Sequence, residues 1–216
     1  MIHLYAFAAG LDRMPASHGL EDAPLEARAF TDVVAVTSSH ASSPQEHGRA
    51  DVMRHAAVVA ALVESARAVL PARFGEDFAD DAALETAVTS RLPALRSRLA
   101  EVGRHVEVGV RVLGGPPSAA PVRGASGADY LRSRLPELRA RNLVAAELHG
   151  PLDACAEASR LSPSLERSAL HTAAYLVSRD EVGAVTSIVE QFARMHPELT
   201  VLCTGPWAPY SFAEAS

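Results

Sequence analysis

The side chains that could carry chemistry are nine histidines, a run of carboxylates at 76–85 and a Pro-braced aromatic cluster near the C-terminal end. All 20 basic residues are arginine, and no lysine is present. Without lysine the chain forms no Schiff base, anchors no pyridoxal phosphate and builds no P-loop. No Gly-x-Ser-x-Gly elbow, dinucleotide fingerprint or His-Glu-x-x-His occurs, and Gly124-Ala125-Ser126-Gly127 has the wrong spacing with no strand before it. No cofactor is expected.

His40, His47 and His55 lie close enough in sequence to suggest a metal site. Their spacings of seven and eight do not set two ligands on adjacent turns of one helix, so they read as solvated loop histidines and no metal is assigned. Glu76, Asp77, Asp80, Asp81 and Glu85 could hold a cation, but they precede and enter a helix, where capping and the helix dipole favour carboxylates. Arg123, Arg132, Arg134, Arg139 and Arg141 form the one basic stretch. With no aromatic interleaving beyond Tyr130, it reads as a solvated helix face and not as a nucleic-acid surface.

Gly205-Pro206-Trp207-Ala208-Pro209-Tyr210-Ser211-Phe212 gathers the only Trp with a Tyr and a Phe, stiffened by two prolines. Rigid aromatic side chains lose little entropy on docking, so Trp207, Tyr210 and Phe212 are candidate partner-binding anchors. The same rings could instead fold back to plug the chain's own core, and different rings could do each.

The elements that must position these groups follow from periodicity. Residues 2–8 and 32–37 are rich in β-branched and aromatic residues and read as strands, the first of them in place of a signal peptide because it lacks a basic leading region. A helix over Asp51–Ala68 would bury Val52, Ala56, Val59, Val63 and Ala66, and a short strand follows at 69–75. A second helix, Asp81–Val102, would bury Leu84, Val88, Leu95, Leu99 and Val102, with a kink or break at Pro93. Val106, Val108, Val110 and Val112 alternate with polar residues in the clearest period of two in the chain. His105, Glu107 and Arg111 share the outer face of that strand, where a general-base pair is conceivable and a plain polar sheet face is the ordinary outcome.

Gly114–Gly127, with four Gly and three Pro, reads as a mobile loop. Beyond it come a helical region over 128–160 cut at Pro136 and Gly150-Pro151, a strand at 170–178, a helix at 180–195 and a strand at 199–204. Each half therefore mixes strands and helices, which predicts an α+β protein of two domains, 1–103 and 104–216. The second fits a ferredoxin-like plan if 165–178 holds two strands.

With 216 residues, 48% of them hydrophobic, the chain is long enough to bury a core unaided. No window approaches the apolar run of about 18–20 residues that spans a bilayer. The net charge of −6 argues against a general nucleic-acid binder. Cys155 and Cys203 are too few for a disulfide framework, so a reduced, cytoplasmic setting is expected.

Several stretches resemble the gas vesicle protein F/L family. They are Leu70-Pro71-Ala72-Arg73-Phe74-Gly75, Val106-Glu107-Val108, Ala128-Asp129-Tyr130-Leu131, Ala173-Ala174-Tyr175-Leu176-Val177 and the aromatic segment 205–212, in that order along nearly the whole chain. Ala208 departs from the pattern, which has a second Pro there. The resemblance implies two α+β domains, the C-terminal one a modified ferredoxin-like fold with inserted helices. It also implies no enzyme but a gas vesicle accessory or assembly protein, chaperone-like toward the small hydrophobic shell protein and in contact with other accessory proteins. An enzyme or ligand-binding protein with a site at His105, Glu107 and Arg111 is the alternative, followed by an RNA-binding domain using the arginine stretch.

Overall fold

The computed structural model describes residues 1–41, 48–114, 127–163, 166 and 168–213, with the backbone alone for 127–134. By packing, the chain divides into Met1–Val106 with Trp207–Ser216, and Glu107–Pro206. The tail from Trp207 thus packs with the first unit, whereas the sequence grouped it with the second. Among the described residues no helix is long and apolar enough to cross a membrane.

The first unit is an antiparallel sheet built on β1 (Ile2–Leu11), with β2 (Glu26–Phe30), β3 (Val33–Ser39), β4 (Ala66–Pro71) and β5 (Asp77–Phe78). The order is β2-β3-β1-β4, and β5 pairs with the start of β1, opposite Ile2 and His3. A bulge at Tyr5, between the pairs Leu4–Thr37 and Ala6–Val36, switches the parity of β1. Ile2 and Leu4 before the bulge and Phe7 and Ala9 after it therefore join one core with Val33, Ala35, Ala68 and Leu70.

Helix α2 (Asp81–Val102) closes that core with Leu84, Val88, Leu99 and Val102, and Leu95 packs against it half-buried, as its spacing predicts. Pro93 does not break the helix. Its ring lies on the exposed side, where water reaches the carbonyl left without a donor.

Helix α1 (Arg49–Ser65) buries His55, Val58, Val59, Leu62 and Val63. This stripe is turned from the expected one: Val59 and Val63 are shared, but Val52 is 44% exposed, and Ala66 begins β4 instead of ending the helix. His55 is part of the buried stripe, and counting it as apolar gives the i, i+3, i+4, i+7, i+8 pattern.

The second unit holds a four-stranded sheet in the order β7-β8-β6-β9. Its strands are β6 (His105–Leu113), β7 (Ala158–Leu161), β8 (Ala169–Ser178) and β9 (Thr200–Trp207), and the unit boundaries fall after Val106 and before Trp207. The alternation of β6 is real: each Val is buried and each intervening residue half-buried.

Helices α3 (Gly127–Val144), α4 (Gly150–Cys155) and α5 (Val182–Met195) cover one face. Val144, Leu148, Leu152, Val185, Val189 and Phe192 pack there against Val108, Val110, Val112, Tyr175 and Val177. α3 continues through Pro136, and a wide π-turn at Ala145–His149 carries it into α4. That turn accommodates Pro151, which donates no hydrogen bond and whose ring would crowd the carbonyl of the preceding turn. The two strands expected inside 165–178 are instead β7, which starts earlier, and β8. The Gly/Pro-rich stretch 115–126 lies outside the described residues.

Candidate functional site

The aromatic tail begins after a cis Gly205–Pro206 bond and ends in the short helix α6 (Tyr210–Ala213). Ala208 and Pro209 are buried, Phe212 is 6% exposed, and α6 packs against β4 of the first unit's sheet. Backbone bonds from Tyr210 N–H to Ala208 O (2.8 Å) and from Phe212 N–H to Pro209 O (3.0 Å) hold the turn. Trp207 and Tyr210 are 55% and 40% exposed. The three candidate anchors therefore divide: Phe212 pins the tail to its own unit, Trp207 is more than half exposed, and Tyr210 is partly exposed, with burial raising its hydroxyl pKa to about 12.

The remaining sequence candidates are placed as follows. His105, Glu107 and Arg111 do share one face of β6, but six residues of extended strand put His105 about 20 Å from Arg111, too far for one catalytic constellation. His105 donates from Nδ1 to the Val102 carbonyl (2.7 Å), and Arg111 is ion-paired with Glu166. Of the basic stretch, Arg141 pairs with Glu137 and donates to the Ala169 carbonyl (3.2 Å). Arg139 is exposed, Arg123 lies outside the described residues, and so do the side chains of Arg132 and Arg134.

The acidic run disperses. Asp80 caps α2 by accepting from Ala83 N–H (2.8 Å), Glu76 pairs with Arg91, and Asp81 with Arg28. Asp77 alone turns inward, its side chain only 2% exposed.

Asp77 joins a buried polar cluster that the sequence did not reveal. The pairing of β5 with β1 sets Asp77 opposite His3, and Asp77 Oδ1 lies 2.6 Å from His3 Nδ1. His40, just past β3, brings Nε2 to 3.5 Å from the same oxygen. His55 reaches in from α1, its Nδ1 2.9 Å from His3 Nε2 and its Nε2 3.2 Å from the Ala72 carbonyl. Tyr5 and Phe74 pack their rings against His3 and His55. Burial, reinforced by the neighbouring His3, lowers the His55 pKa from 6.5 to about 4, so this imidazole is neutral at neutral pH. His47, the third histidine of the expected loop group, lies outside the described residues.

The second unit has a smaller cluster, in which the buried Tyr175 hydroxyl lies 2.9 Å from His149 Nδ1 and 3.0 Å from His171 Nε2. Burial raises the Tyr175 pKa and, with His149 nearby, lowers that of His171 from 6.5 to about 4.

Comparison with known proteins places this architecture. The chain is 28% identical to gas vesicle protein F2 of Halobacterium salinarum over 218 residues, covering 98% of this chain and 92% of the relative. It is 31% identical to gas vesicle protein L of a Streptomyces species over 232 residues, covering 91% and 86%. Its fold matches a solved structure of GvpF from an Anabaena species with a TM-score of 0.81 at 18% identity, over 100% of this chain and 96% of the other. GvpF from Microcystis aeruginosa gives the same TM-score at 17% identity, over 99% of each chain. Residues 1–214 match the family described as gas vesicle synthesis protein GvpL/GvpF, and the chain belongs to that family.

Proposed function

We propose that this gas vesicle protein is an assembly partner of the small hydrophobic shell protein, using the outward rings of its tail. The observation that carries the reading is the split within the tail. Ala208, Pro209 and Phe212 are buried, while Trp207 at 55% and Tyr210 at 40% exposure offer two large rings on a held backbone. Rings fixed in advance lose little freedom on docking, so the apolar area they bury counts nearly in full toward affinity. A shell subunit with a strongly apolar face is prone to aggregate until it joins its neighbours, and a partner that covers this face keeps it available. The net charge of −6 keeps such a partner dispersed. Other accessory proteins could share the same surface, and the setting is the cytoplasm around growing vesicles. No catalytic role enters this reading.

The test is light scattering of purified shell protein diluted from denaturant, with and without this chain, against an unrelated acidic protein of similar size. Suppression near equal stoichiometry is expected. Trp207→Ala should weaken the complex by at least about 30-fold, as loss of a buried aromatic anchor does, and Tyr210→Ala by less. Unchanged scattering with no isolable complex would overturn direct shell binding. Binding that survives the double substitution would remove the tail as its site.

A further inference from the structure

We propose that His3, His40 and Asp77 form a binding site for one divalent transition-metal ion, with zinc the best match to the donor set, and that His55 holds His3 in the ligating tautomer. The site is independent of the shell-binding reading.

The argument starts from hydrogen-bond direction. The Ala72 carbonyl can only accept, so His55 must donate to it from Nε2. With its one ring proton there, His55 Nδ1 is an acceptor, and His3 must donate to it from Nε2. That leaves His3 Nδ1 as a lone pair facing Asp77 Oδ1, itself an acceptor, at 2.6 Å. At 2.6 Å the two acceptors share a proton, and the same pair of lone pairs, spread by less than about 1 Å, can take a metal ion in its place.

Three further features favour a metal ion. One donor atom each from His3, His40 and Asp77 lies within 4.8 Å of the others. Tetrahedral zinc, with bonds of about 2.0–2.2 Å, needs ligand atoms roughly 3.3 Å apart, which small ring rotations supply from here. Asp77 Oδ2 is buried with no hydrogen-bond partner among the described residues, and it can complete the shell as a second carboxylate oxygen. A ligating histidine usually has its other ring N–H fixed by an acceptor, and the His3–His55–Ala72 chain does this.

Two imidazoles and a carboxylate suit zinc and its first-row neighbours better than calcium or magnesium, which prefer all-oxygen shells. The ligands come from β1, β5 and the residue after β3, so the ion would tie together three segments far apart in sequence. Their burial, with His3 at 0% and His40 at 6% exposure, makes the role structural.

The test uses the full chain without a polyhistidine tag, stripped with chelator and then titrated with zinc sulfate by calorimetry. Thermal unfolding is followed in parallel, with cobalt(II) absorption as a readout of geometry. The expected result is one ion per chain, tetrahedral cobalt bands, and a melting temperature several degrees higher with zinc than with chelator. Asp77→Asn and His40→Gln, which preserve size, should each weaken zinc at least about 100-fold while the circular dichroism spectrum stays that of the parent. His55→Leu should weaken it about 10- to 100-fold through His3, as the loss of a supporting partner does. His149→Gln in the other unit should leave zinc affinity unchanged. No zinc retained at micromolar free ion, or full retention in the Asp77→Asn and His40→Gln variants, would overturn the site and leave a proton between His3 and Asp77.

Discussion

In the first unit Tyr5 lies against the rings of His3 and His55, and in the second Tyr175 lies against those of His149 and His171. Each pair includes a histidine whose pKa desolvation lowers to about 4, buried in the case of His55 and half-buried in that of His171. What separates them is where the phenol points. Tyr175 gives its hydroxyl to the histidines, donating to one ring nitrogen and accepting from the other, so the hydroxyl and the two rings satisfy one another. Tyr5 spends its hydroxyl elsewhere, accepting from Leu20 N–H (2.7 Å) and bonding Ser38 (2.9 Å). Its histidines bond instead to each other, to Asp77 and to the Ala72 carbonyl. Similar residue types thus give a network centred on a hydroxyl in one unit and, in the other, one centred on a carboxylate.

The largest predicted effect breaks the charged cluster. Asp77→Ala removes the carboxylate paired with both His3 and His40, and loss of one partner of a buried pair costs about 3–5 kcal/mol. Differential scanning calorimetry should show the first unit melting well below its parent temperature. A loss smaller than that of the Tyr175→Phe variant would remove the distinction between the clusters.

Gly19→Ala tests how tightly the first cluster is sealed. An added Cβ would stand 2.4 Å from the Tyr5 hydroxyl and 2.6 Å from Ser38 Oγ, so Tyr5 or Ser38 must move. Overpacking of this kind costs about 1–3 kcal/mol, measurable as a fall in the urea midpoint. An unchanged midpoint would mean that the Tyr5–Ser38–Leu20 contact yields easily.

How much of this was legible depends on whether the signal was local. The strict alternation of β6 and the spacing of α2 and α5 are each contained in one segment, and these elements were read correctly. β2 was missed because Ala27 and Ala29 are weak strand formers and the Thr31-Asp32 turn lacks a glycine, although Thr31 adopts a positive φ of 60°. The α1 stripe was turned because His55 was counted as polar, when its burial makes it the first residue of the pattern. The composition of the tail marked Trp207, Tyr210 and Phe212, but no sequence rule said which ring faces in. The meeting of His3 with Asp77 joins residues 74 apart through a two-residue strand, and no spacing motif carries it. Asp77 also stood beside true helix-capping carboxylates, which hid it.

Tyr175→Phe keeps the ring and removes the hydroxyl that both histidines use. Leaving half-buried ring nitrogens without this partner should cost about 1–2 kcal/mol, less than Asp77→Ala because no carboxylate pairing is lost. Chemical denaturation at pH 7 measures it, and a stabilised variant would show that the Tyr175 network contributes nothing.

The smallest effect is the pH dependence of that same network, and its sign follows from His171. Burial first, then the neighbouring His149, lowers its folded-state pKa from 6.5 to about 4. The groups facing it are His149 and the Tyr175 hydroxyl, with Asp153 of α4 acting on Tyr175. Between pH 6.5 and 4 the unfolded chain binds a proton at this site that the folded chain refuses. Stability from His171 is therefore complete above pH 6.5 and is lost as pH falls toward 4. At 1.4 kcal/mol per pKa unit the full shift would be about 3 kcal/mol, and partial exposure of the ring reduces this to about 1 kcal/mol. The wild type should lose about half of this more than His171→Gln between pH 7 and pH 5, and NMR titration of the folded protein should find the His171 ring neutral at pH 5. Equal losses in the two proteins would mean that the ring is solvated enough to titrate normally, and the second cluster would then be open where the first is sealed.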